Sequence, residues 1–238
     1  MKTYFLHPDS VRELFNSVAP RYDLLCRLLS LRRDVYWRKR GVREIKDSEG
    51  PILDVATGTG DIAIEIIRQG LGNRRVVGLD FSEPMLREAR EKLLKRSLLS
   101  DIDLGLGDAL TLPFRDDTFH ASFIAFGLRN ILKKESALSE MVRVTKKGGK
   151  VVIMEFTFPE KGLVNKLYAS YFMNILPRVG GLISGDRGAY AYLPLSVSHF
   201  QSPEIYRDLA GKAGLENITS TGLTFGIASI ITGTKKGP

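Results

Sequence analysis

Residues 53–63 read LDVATGTGDIA, and this stretch decides the class of the fold. The apolar run PILDVA, residues 51–56, has the length of a buried strand and carries Asp54 near its end. Gly58 and Gly60 follow directly, and glycines at this spacing allow a tight turn in which a ligand can touch the backbone. Apolar residues then return at helical spacing. The stretch therefore predicts a strand, a glycine turn and a helix.

The same alternation of strand and helix continues along the chain. Four further apolar runs of strand length follow, separated by stretches of helical length: RVVGLD (75–80), IDLGLGDA (102–109), HASFIAF (120–126) and GKVVIMEF (149–156). The clearest helix begins at the N-cap Ser82, and its apolar stripe consists of Met85, Leu86, Ala89 and Leu93. Two β-rich runs near the C-terminus predict a hairpin. The pattern predicts a Rossmann-like α/β fold with a mostly parallel sheet and helices on both faces.

The length of 238 residues, with 43% hydrophobic residues, suits one domain over residues 1–238. Within it, residues 1–48 predict amphipathic helices that form an N-terminal helical cap. The alternation breaks over residues 157–200, which we expect to be an insertion or lid region. In this region residues 163–177 place seven apolar side chains on one helical face, which suits either a helix packed on the core or a lid that lines a groove.

Charge, hydropathy and cysteine content indicate in which compartment the protein acts. No uncharged apolar run reaches the ~18 residues of a membrane span, and the N-terminal residues lack the pattern of a signal peptide. The single cysteine, Cys26, excludes an internal disulfide and a cysteine-cluster metal site. We therefore expect a cytoplasmic protein without a metal. The net charge is +8, and residues 27–43 hold seven basic side chains and one acid. Such a stretch suits anionic lipid head groups, nucleic acid or simply a solvated helix face.

The glycine turn alone is compatible with two cofactors. Gly58, Gly60 and Ala63 satisfy the dinucleotide pattern G-x-G-x-x-G/A, and Asp80 at the end of the second strand is placed to hold ribose hydroxyls. An NAD-dependent oxidoreductase would carry these features, and so would an enzyme that binds S-adenosylmethionine (SAM).

Negative charge around the turn favours SAM. Asp54 and Asp61 flank the turn and would repel a pyrophosphate, whereas SAM has no phosphate and carries an ammonium and a sulfonium. At the end of the third strand, Asp108 is placed to accept from an adenine amino group, and Ala109 leaves room for the ring.

At this point the chain resembles the class I SAM-dependent methyltransferases, and within them the C-methyltransferases of demethylmenaquinone and ubiquinone biosynthesis. The resemblance runs nearly end to end, through FNSVAPRYD (15–23), ILDVATGTGD (52–61), GLDFSEPML (78–86), GDALTLPFRDDTF (107–119), FGLRN (126–130), RVTKKGGKVVIMEF (143–156) and YAYLP (190–194). It implies a seven-stranded sheet with the last strand antiparallel, and SAM contacts at Thr59, Asp80, Asp108 and Ala109. It also implies methylation of the ring of a prenylated quinol, most closely demethylmenaquinol or its ubiquinone-pathway equivalent.

The chain departs from the family pattern at positions expected to face the substrate. Cys26, Arg32 and Asp34 stand where the family usually has Asn, Gly and His, and Leu195 and Ile231 stand where it usually has Glu and His. Another phenolic or lipid acceptor therefore remains an alternative, as does a non-catalytic SAM-binding module.

Arg129 and Asn130 follow the fourth strand and are the candidate catalytic residues, since donors near the acceptor's oxygen would stabilise developing phenolate character. The alternative is that Arg129 pairs with a carboxylate and Asn130 caps the next helix. Beyond SAM and a lipid quinol we expect peripheral membrane contact. We expect no nucleic-acid partner, because no aromatic platform for base stacking is interleaved with the basic stretch. The oligomeric state stays open, with a homodimer as one alternative.

Overall fold

Seven strands form the single sheet of the protein, seen in a computed structural model that describes residues 8–157, residue 170 and residues 202–237. The five apolar runs that begin at Pro51 and the C-terminal hairpin supply all seven strands, as the sequence predicts. The strands are β1 (Ile52–Val55), β2 (Val76–Asp80), β3 (Ile102–Leu106), β4 (Phe119–Ala125), β5 (Thr145–Phe156), β6 (Leu215–Leu223) and β7 (Ala228–Lys235).

The strand order is β3-β2-β1-β4-β5-β7-β6, and β7 alone runs antiparallel to its neighbours. The chain passes from β1 outward to β2 and β3, then returns across β1 to β4 and β5. At this reversal β1 pairs with both neighbours, so that Asp54 lies opposite Gly78 on one side and Phe123 on the other. Ligands of open α/β sheets bind beyond the carboxyl ends of the strands at such a reversal. The predicted seven-stranded, Rossmann-like sheet with an antiparallel last strand is confirmed.

Seven helices of the described ranges surround this sheet: α1 (Pro8–Val18), α2 (Tyr22–Leu29), α3 (Arg33–Val42), α4 (Asp61–Arg68), α5 (Glu83–Lys95), α6 (Lys134–Val144) and α7 (Pro203–Lys212). Successive side chains of β1 point to opposite faces of the sheet, and they show which helices cover each face. Ile52 packs with side chains of α3, α4 and α5, whereas Leu53 points the other way and packs with side chains of α6 and α7. Both faces are apolar because parallel strands are covered by helices on each side.

The helix after β2 matches its sequence signals. Ser82 is the N-cap of α5 and its hydroxyl oxygen accepts from the backbone nitrogen of Met85. The four residues of the expected apolar stripe are all buried. This helix is therefore fixed by its cap at one end and by its apolar face along its length.

The N-terminal residues form amphipathic helices, and the first two are separated by a break. The chain forms α1, a 3-10 turn at Ala19–Arg21, and α2. Pro20 lies inside this turn, and proline removes a backbone donor and disfavours helical backbone in the residue before it. Because the helix is interrupted at Pro20, α1 and α2 are separate helices, and both contribute residues to the cavity described below.

Most of the expected insertion or lid region, including the apolar face of residues 163–177 and the stretch YAYLP, lies outside the described residues. Among the helices that the structure does describe, none has both the length and the apolar character that crossing a membrane requires.

Candidate functional site

A cavity of about 300 Å³ lies at the carboxyl edge of the sheet, over the reversal at β1. The residues that end or follow four neighbouring strands line it: Ala56 and Gly58 after β1, Asp80 and Phe81 at β2, Gly107–Leu110 after β3, and Ala125–Gly127 at β4. Asn130, Ile131, Leu132 and Lys133 add a further wall. The strand order thus brings together Gly58, Asp80, Asp108, Ala109 and Asn130, five of the nine site residues expected from the sequence.

The glycine turn is held open by backbone conformations that favour glycine. Gly58 and Gly60 have φ angles of 56° and 80°, in the left-handed region. A Cβ atom at Gly58 would meet only the ring of Tyr22, at 3.9 Å, so a side chain there would project into the cavity. The absence of that side chain therefore creates space for a ligand against the backbone.

Asp80 joins the glycine turn to the start of α5. Its Oδ2 accepts from the backbone nitrogen of Gly58 at 2.8 Å, and its Oδ1 accepts from the backbone nitrogen of Ser82 at 2.9 Å. Burial raises the pKa of this carboxyl, and the backbone donors of Ser82 and Gly58 oppose that rise. Since each carboxylate oxygen has a second lone pair, the group can still accept from a ligand hydroxyl.

Asp54 lies beneath the glycine turn and does not line the cavity. Its Oδ2 accepts from the hydroxyl of Thr57 at 2.6 Å, while its Oδ1 is buried and has no hydrogen-bond partner among the described residues. Burial raises the pKa of Asp54 to about 7, against the lowering effect of the Thr57 hydrogen bond. A buried carboxyl with one unsatisfied oxygen is the kind of group that a nearby cation would stabilise in its ionised form.

The charge of Asp61 is not directed at the cavity, and this overturns one step of the sequence argument. Its carboxylate pairs with Arg38 at 2.7 Å, with Lys92 at 2.7 Å and with Arg27 at 3.3 Å. Burial raises the pKa of Asp61, but the charges of Arg38 and Lys92 outweigh burial and lower it to about 2. Repulsion of a pyrophosphate therefore rests on Asp54 and not on Asp61.

These pairs belong to a closed ionic cluster that fastens the N-terminal helices to the glycine turn. Three acids and three bases share it: Asp23, Asp34, Asp61, Arg27, Arg38 and Lys92. Thr59 is drawn into the cluster, because its hydroxyl donates to Asp23 at 2.6 Å and accepts from Lys92 at 3.0 Å. Thr59 and Gly60 thus lie on the far side of the turn and do not line the cavity.

Arg129 is a buried partner of Glu155. Its Nη1 donates to Glu155 Oε1 at 2.6 Å and to the carbonyl of Phe126, and its backbone nitrogen donates to Glu155 Oε2 at 2.9 Å. The guanidinium is thus engaged by a carboxylate, which was the alternative interpretation from the sequence, and Arg129 does not line the cavity. This pairing fixes the 3-10 turn Leu128–Asn130.

Asn130 faces the cavity from the end of that turn. The alternative that it caps the following helix is not what the structure has, since the N-cap of α6 is Lys133 and no side chain caps this helix. Of the two candidate catalytic residues, Asn130 is therefore the one in reach of a ligand.

Four cavity residues come from the N-terminal helices and were missed by the sequence analysis: Val11, Arg12, Phe15 and Tyr22. Phe15 packs edge-on against Phe81 at 6.2 Å between ring centroids, and the guanidinium of Arg12 lies 5.7 Å from the centroid of the same ring. Burial raises the pKa of Tyr22 well above its usual value. The helical cap is thus part of the cavity wall, and its motif FNSVAPRYD was the signal that could have located it.

Positions that depart from the family pattern lie in different places. Asp34 belongs to the ionic cluster, and Cys26 is half-buried beside Tyr22, where burial raises the pKa of its thiol. Arg32 is exposed and does not line the cavity, so it does not face a ligand there; its φ of 62° lies in the left-handed region. Ile231 is fully buried in the core between the sheet and α6 and α7, so it does not face a substrate. Residues 8–157 and 202–237 contain no cluster of metal-binding side chains.

The chemistry of this cavity fits SAM. Asp80 and Asp108 provide oxygens that accept from hydroxyl and amino groups, and Asp54 provides a carboxyl whose ionised form a cation would favour. Phe81 and Met85 provide apolar surface for a flat base. Arg38 and Lys92, the bases that pair with Asp61 at the start of α4, are engaged in the ionic cluster, so neither is available to a pyrophosphate at the turn.

Comparison with known proteins agrees with this chemistry. Residues 4–235 match the model of the ubiE/COQ5 methyltransferase family. The chain is similar to a ubiquinone/menaquinone biosynthesis C-methyltransferase of Geobacter sulfurreducens, with 45% identity over 228 residues that cover 95% of this chain and 89% of the relative. It is also 45% identical to a demethylmenaquinone methyltransferase of Thermus thermophilus, over 92% of this chain and 99% of the relative.

Solved structures share the fold. A SAM-dependent methyltransferase of Thermotoga maritima superposes with a TM-score of 0.65 at 20% identity, covering 94% of this chain and 100% of that one. The family match decides between the two cofactors that the glycine turn allowed, and the methyl donor is SAM. Because this family match covers residues 4–235, nearly the whole chain, the chain belongs to the ubiE/COQ5 methyltransferase family.

Proposed function

We propose that this protein transfers a methyl group from SAM to a ring carbon of a prenylated quinol, with demethylmenaquinol or the equivalent ubiquinone-pathway quinol as the acceptor. The observation that carries the proposal is the match to the family over residues 4–235, together with relatives named for menaquinone and ubiquinone biosynthesis. We further propose that it acts in the cytoplasm, at the inner face of the membrane where a prenylated acceptor is found.

The cavity supports a division into a donor side and an acceptor side. Gly58, Asp80, Asp108 and Ala109 would hold the nucleoside of SAM, with Asp54 beneath the turn favouring its positive charge. When bound, SAM supplies an electrophilic methyl carbon, and catalysis of its displacement depends chiefly on positioning. The apolar residues Phe126, Ile131 and Leu132 would accept the ring of the quinol, and Leu132 is half exposed where a tail could leave the cavity.

Asn130 and Lys133 are the nitrogen donors on the acceptor side of the lining. A donor that faces the acceptor's oxygen stabilises the negative charge that develops as the neighbouring carbon attacks. Arg129 acts through the turn that it fixes, because its guanidinium and its backbone nitrogen both bind Glu155. We therefore assign Asn130 as the catalytic donor and Arg129 as a positioning residue.

The helical cap would keep water away from the reacting atoms. Phe15 and Tyr22 cover the side of the cavity opposite the strands, and the ionic cluster ties α2 and α3 to the glycine turn. Exclusion of water strengthens the interactions of Asp80, Asp108 and Asn130 with their ligands.

The test is a methyl-transfer assay with the purified protein, isotopically labelled SAM, and two reduced acceptors that differ only in the ring, a naphthoquinol and a benzoquinol. We expect the label on the ring carbon of at least one of them, located by NMR. Label on a quinol oxygen, or on a phenolic lipid but neither quinol, would replace the proposed acceptor chemistry. Binding of SAM without transfer to any acceptor would identify a non-catalytic module.

A further inference from the structure

The outward face of α3 carries positive charge that no acid of the described residues pairs with. Four exposed cations lie on this helix and at its two ends: Arg32, Arg33, Lys39 and Arg43. None of the four forms an ion pair within the part of the chain that the structure describes. The one acid of this stretch, Asp34, is buried and engaged by Arg27 and Arg38. The basic residues of the stretch thus divide into an inner set that is neutralised and an outer set that is not.

Apolar side chains project from the same surface. Leu31 is 73% exposed in the turn between α2 and α3, and Tyr36 is 51% exposed on α3 between the outer cations. Leu31 and Arg32 have φ angles of 49° and 62°. Two successive left-handed residues are unfavourable for L-amino acids, yet here they present a leucine to solvent between basic side chains. We call Leu31, Arg32, Arg33, Tyr36, Lys39 and Arg43 the docking face.

The docking face lies close to the cavity, because the helix that carries it also contacts a residue of the cavity lining. Trp37, the neighbour of Tyr36, is buried on the inner side of α3 and packs 6.0 Å from the ring centroid of Phe126, which lines the cavity. The indole nitrogen of Trp37 also donates to Thr224 at 2.8 Å, in the turn between β6 and β7. Next to Thr224, Phe225 is 80% exposed. The exposed apolar surface therefore continues along the carboxyl edge of the sheet.

We propose that the docking face binds an anionic bilayer, with Leu31 and Tyr36 at the level of the head groups and the four cations against lipid phosphates. The inference deepens the proposed function, on which it rests, because a prenylated acceptor resides in a bilayer. Reversible membrane binding requires basic and apolar side chains together, because neither a few basic residues nor one apolar side chain is enough alone.

Two other occupants fit the docking face less well. A second copy of this chain would bring the same uncompensated cations against each other. A nucleic acid would use the cations, but a protruding leucine contributes nothing to phosphate contacts. On α3 the other aromatic side chain, Trp37, is buried, so Tyr36 has no exposed ring beside it on this helix with which to form a base-stacking platform.

The experiment is co-sedimentation of the full chain with vesicles of phosphatidylcholine alone or mixed with phosphatidylglycerol. We expect binding to the anionic vesicles that weakens as salt is raised. The double variant Arg32→Gln/Arg33→Gln should bind about 30-fold more weakly, at about 1 kcal/mol for each basic residue near the surface. Leu31→Ser should weaken binding by about threefold to tenfold.

Matched controls lie on α5. Arg90→Gln/Arg96→Gln removes the same charge, and Leu94→Ser removes a leucine that is 64% exposed. Both should bind vesicles like the parent protein, and all variants should methylate a short-chain quinol in solution at the parent rate. This second readout separates the docking face from the proposed function, since it does not require a membrane. Equal losses in the controls, no preference for anionic vesicles, or tighter binding to RNA than to vesicles would each overturn the proposal.

Discussion

Substitution of Arg129 distinguishes a positioning role from direct catalysis. Arg129 is 8% exposed and its partner Glu155 is fully buried. In the variant Arg129→Met, the carboxylate of Glu155 would keep the backbone donors of Arg129 and Phe156 but lose the guanidinium. We therefore expect the variant to be destabilised through the charge that remains.

The size of this effect follows from the burial of the pair. Removal of one partner of a buried ion pair costs roughly 3–5 kcal/mol, because the remaining charge is left without compensation. For a domain of this length each kcal/mol lowers the melting temperature by about 2–4 °C, so a decrease of about 6–20 °C is expected. Replacement of both partners by apolar residues, Arg129→Met/Glu155→Met, should recover only part of the loss, because it removes the uncompensated charge but leaves the backbone donors of Arg129 and Phe156 without their acceptor.

Differential scanning calorimetry of the two variants and the parent measures this directly, and methyl transfer is measured below each melting temperature. We expect turnover to fall in Arg129→Met because Asn130 is displaced, and we expect the affinity for SAM to be unchanged. A variant that melts at the parent temperature but has lost turnover would refute it, since Arg129 would then act on the substrate itself.

Three further predictions concern single residues. Arg32→Gly should raise the free energy of unfolding, measured in urea, by about 0.5–1 kcal/mol. The left-handed backbone of Arg32 costs about 1–2 kcal/mol, and the greater entropy of glycine in the unfolded chain offsets part of the gain. An unchanged free energy of unfolding would show that the backbone of Arg32 is not strained. Burial raises the pKa of Asp54 to about 7, so ionisation of this carboxyl destabilises the parent as pH rises from about 4 to 7. The free energy of unfolding of Asp54→Asn should therefore increase relative to that of the parent over this range, and the difference should stay constant above about pH 7. A difference that does not change between about pH 4 and 7 would contradict that pKa. Asp61→Asn should be less stable than the parent at pH 7, and the difference should shrink as pH falls from about 4 towards 2, because the pKa of Asp61 is lowered to about 2; a difference that persists at pH 2 would contradict the ionic cluster.

The elements that the sequence predicts well are those whose signals are local. The strands are short apolar runs, the start of α5 follows from Ser82, and the glycine turn needs only Gly58 and Gly60. Because parallel strands end at a common edge, the positions of Asp80 and Asp108 in the cavity also follow from the order of elements.

The features that the sequence could not supply depend on partners far apart in the chain. Asp61 appears as a helix-start acid, yet its charge is cancelled by Arg38 and Lys92, each more than twenty residues away. Arg129 appears as a catalytic donor, yet Glu155 on the next strand engages it. Neither pairing leaves a periodic signal, because an ion pair requires only that two side chains meet in the folded state.

The same limit applies to the helical cap. Its amphipathic pattern indicates that one face is buried, but the pattern does not say against what. The break at Pro20 decides that α1 and α2 diverge, and so brings Phe15 and Tyr22 to the cavity.

Calorimetric titration with S-adenosylhomocysteine measures whether the carboxyl-edge cavity holds the methyl donor. Asp108, just after β3, lines the cavity, whereas Asp103, exposed on β3, does not. Loss of a hydrogen bond to a charged group costs about 1.5–3 kcal/mol, so Asp108→Ala should bind about 10- to 150-fold more weakly than the parent, and Asp103→Ala should bind like the parent. Equal affinity in Asp108→Ala and the parent would contradict the assignment of this cavity to the cofactor.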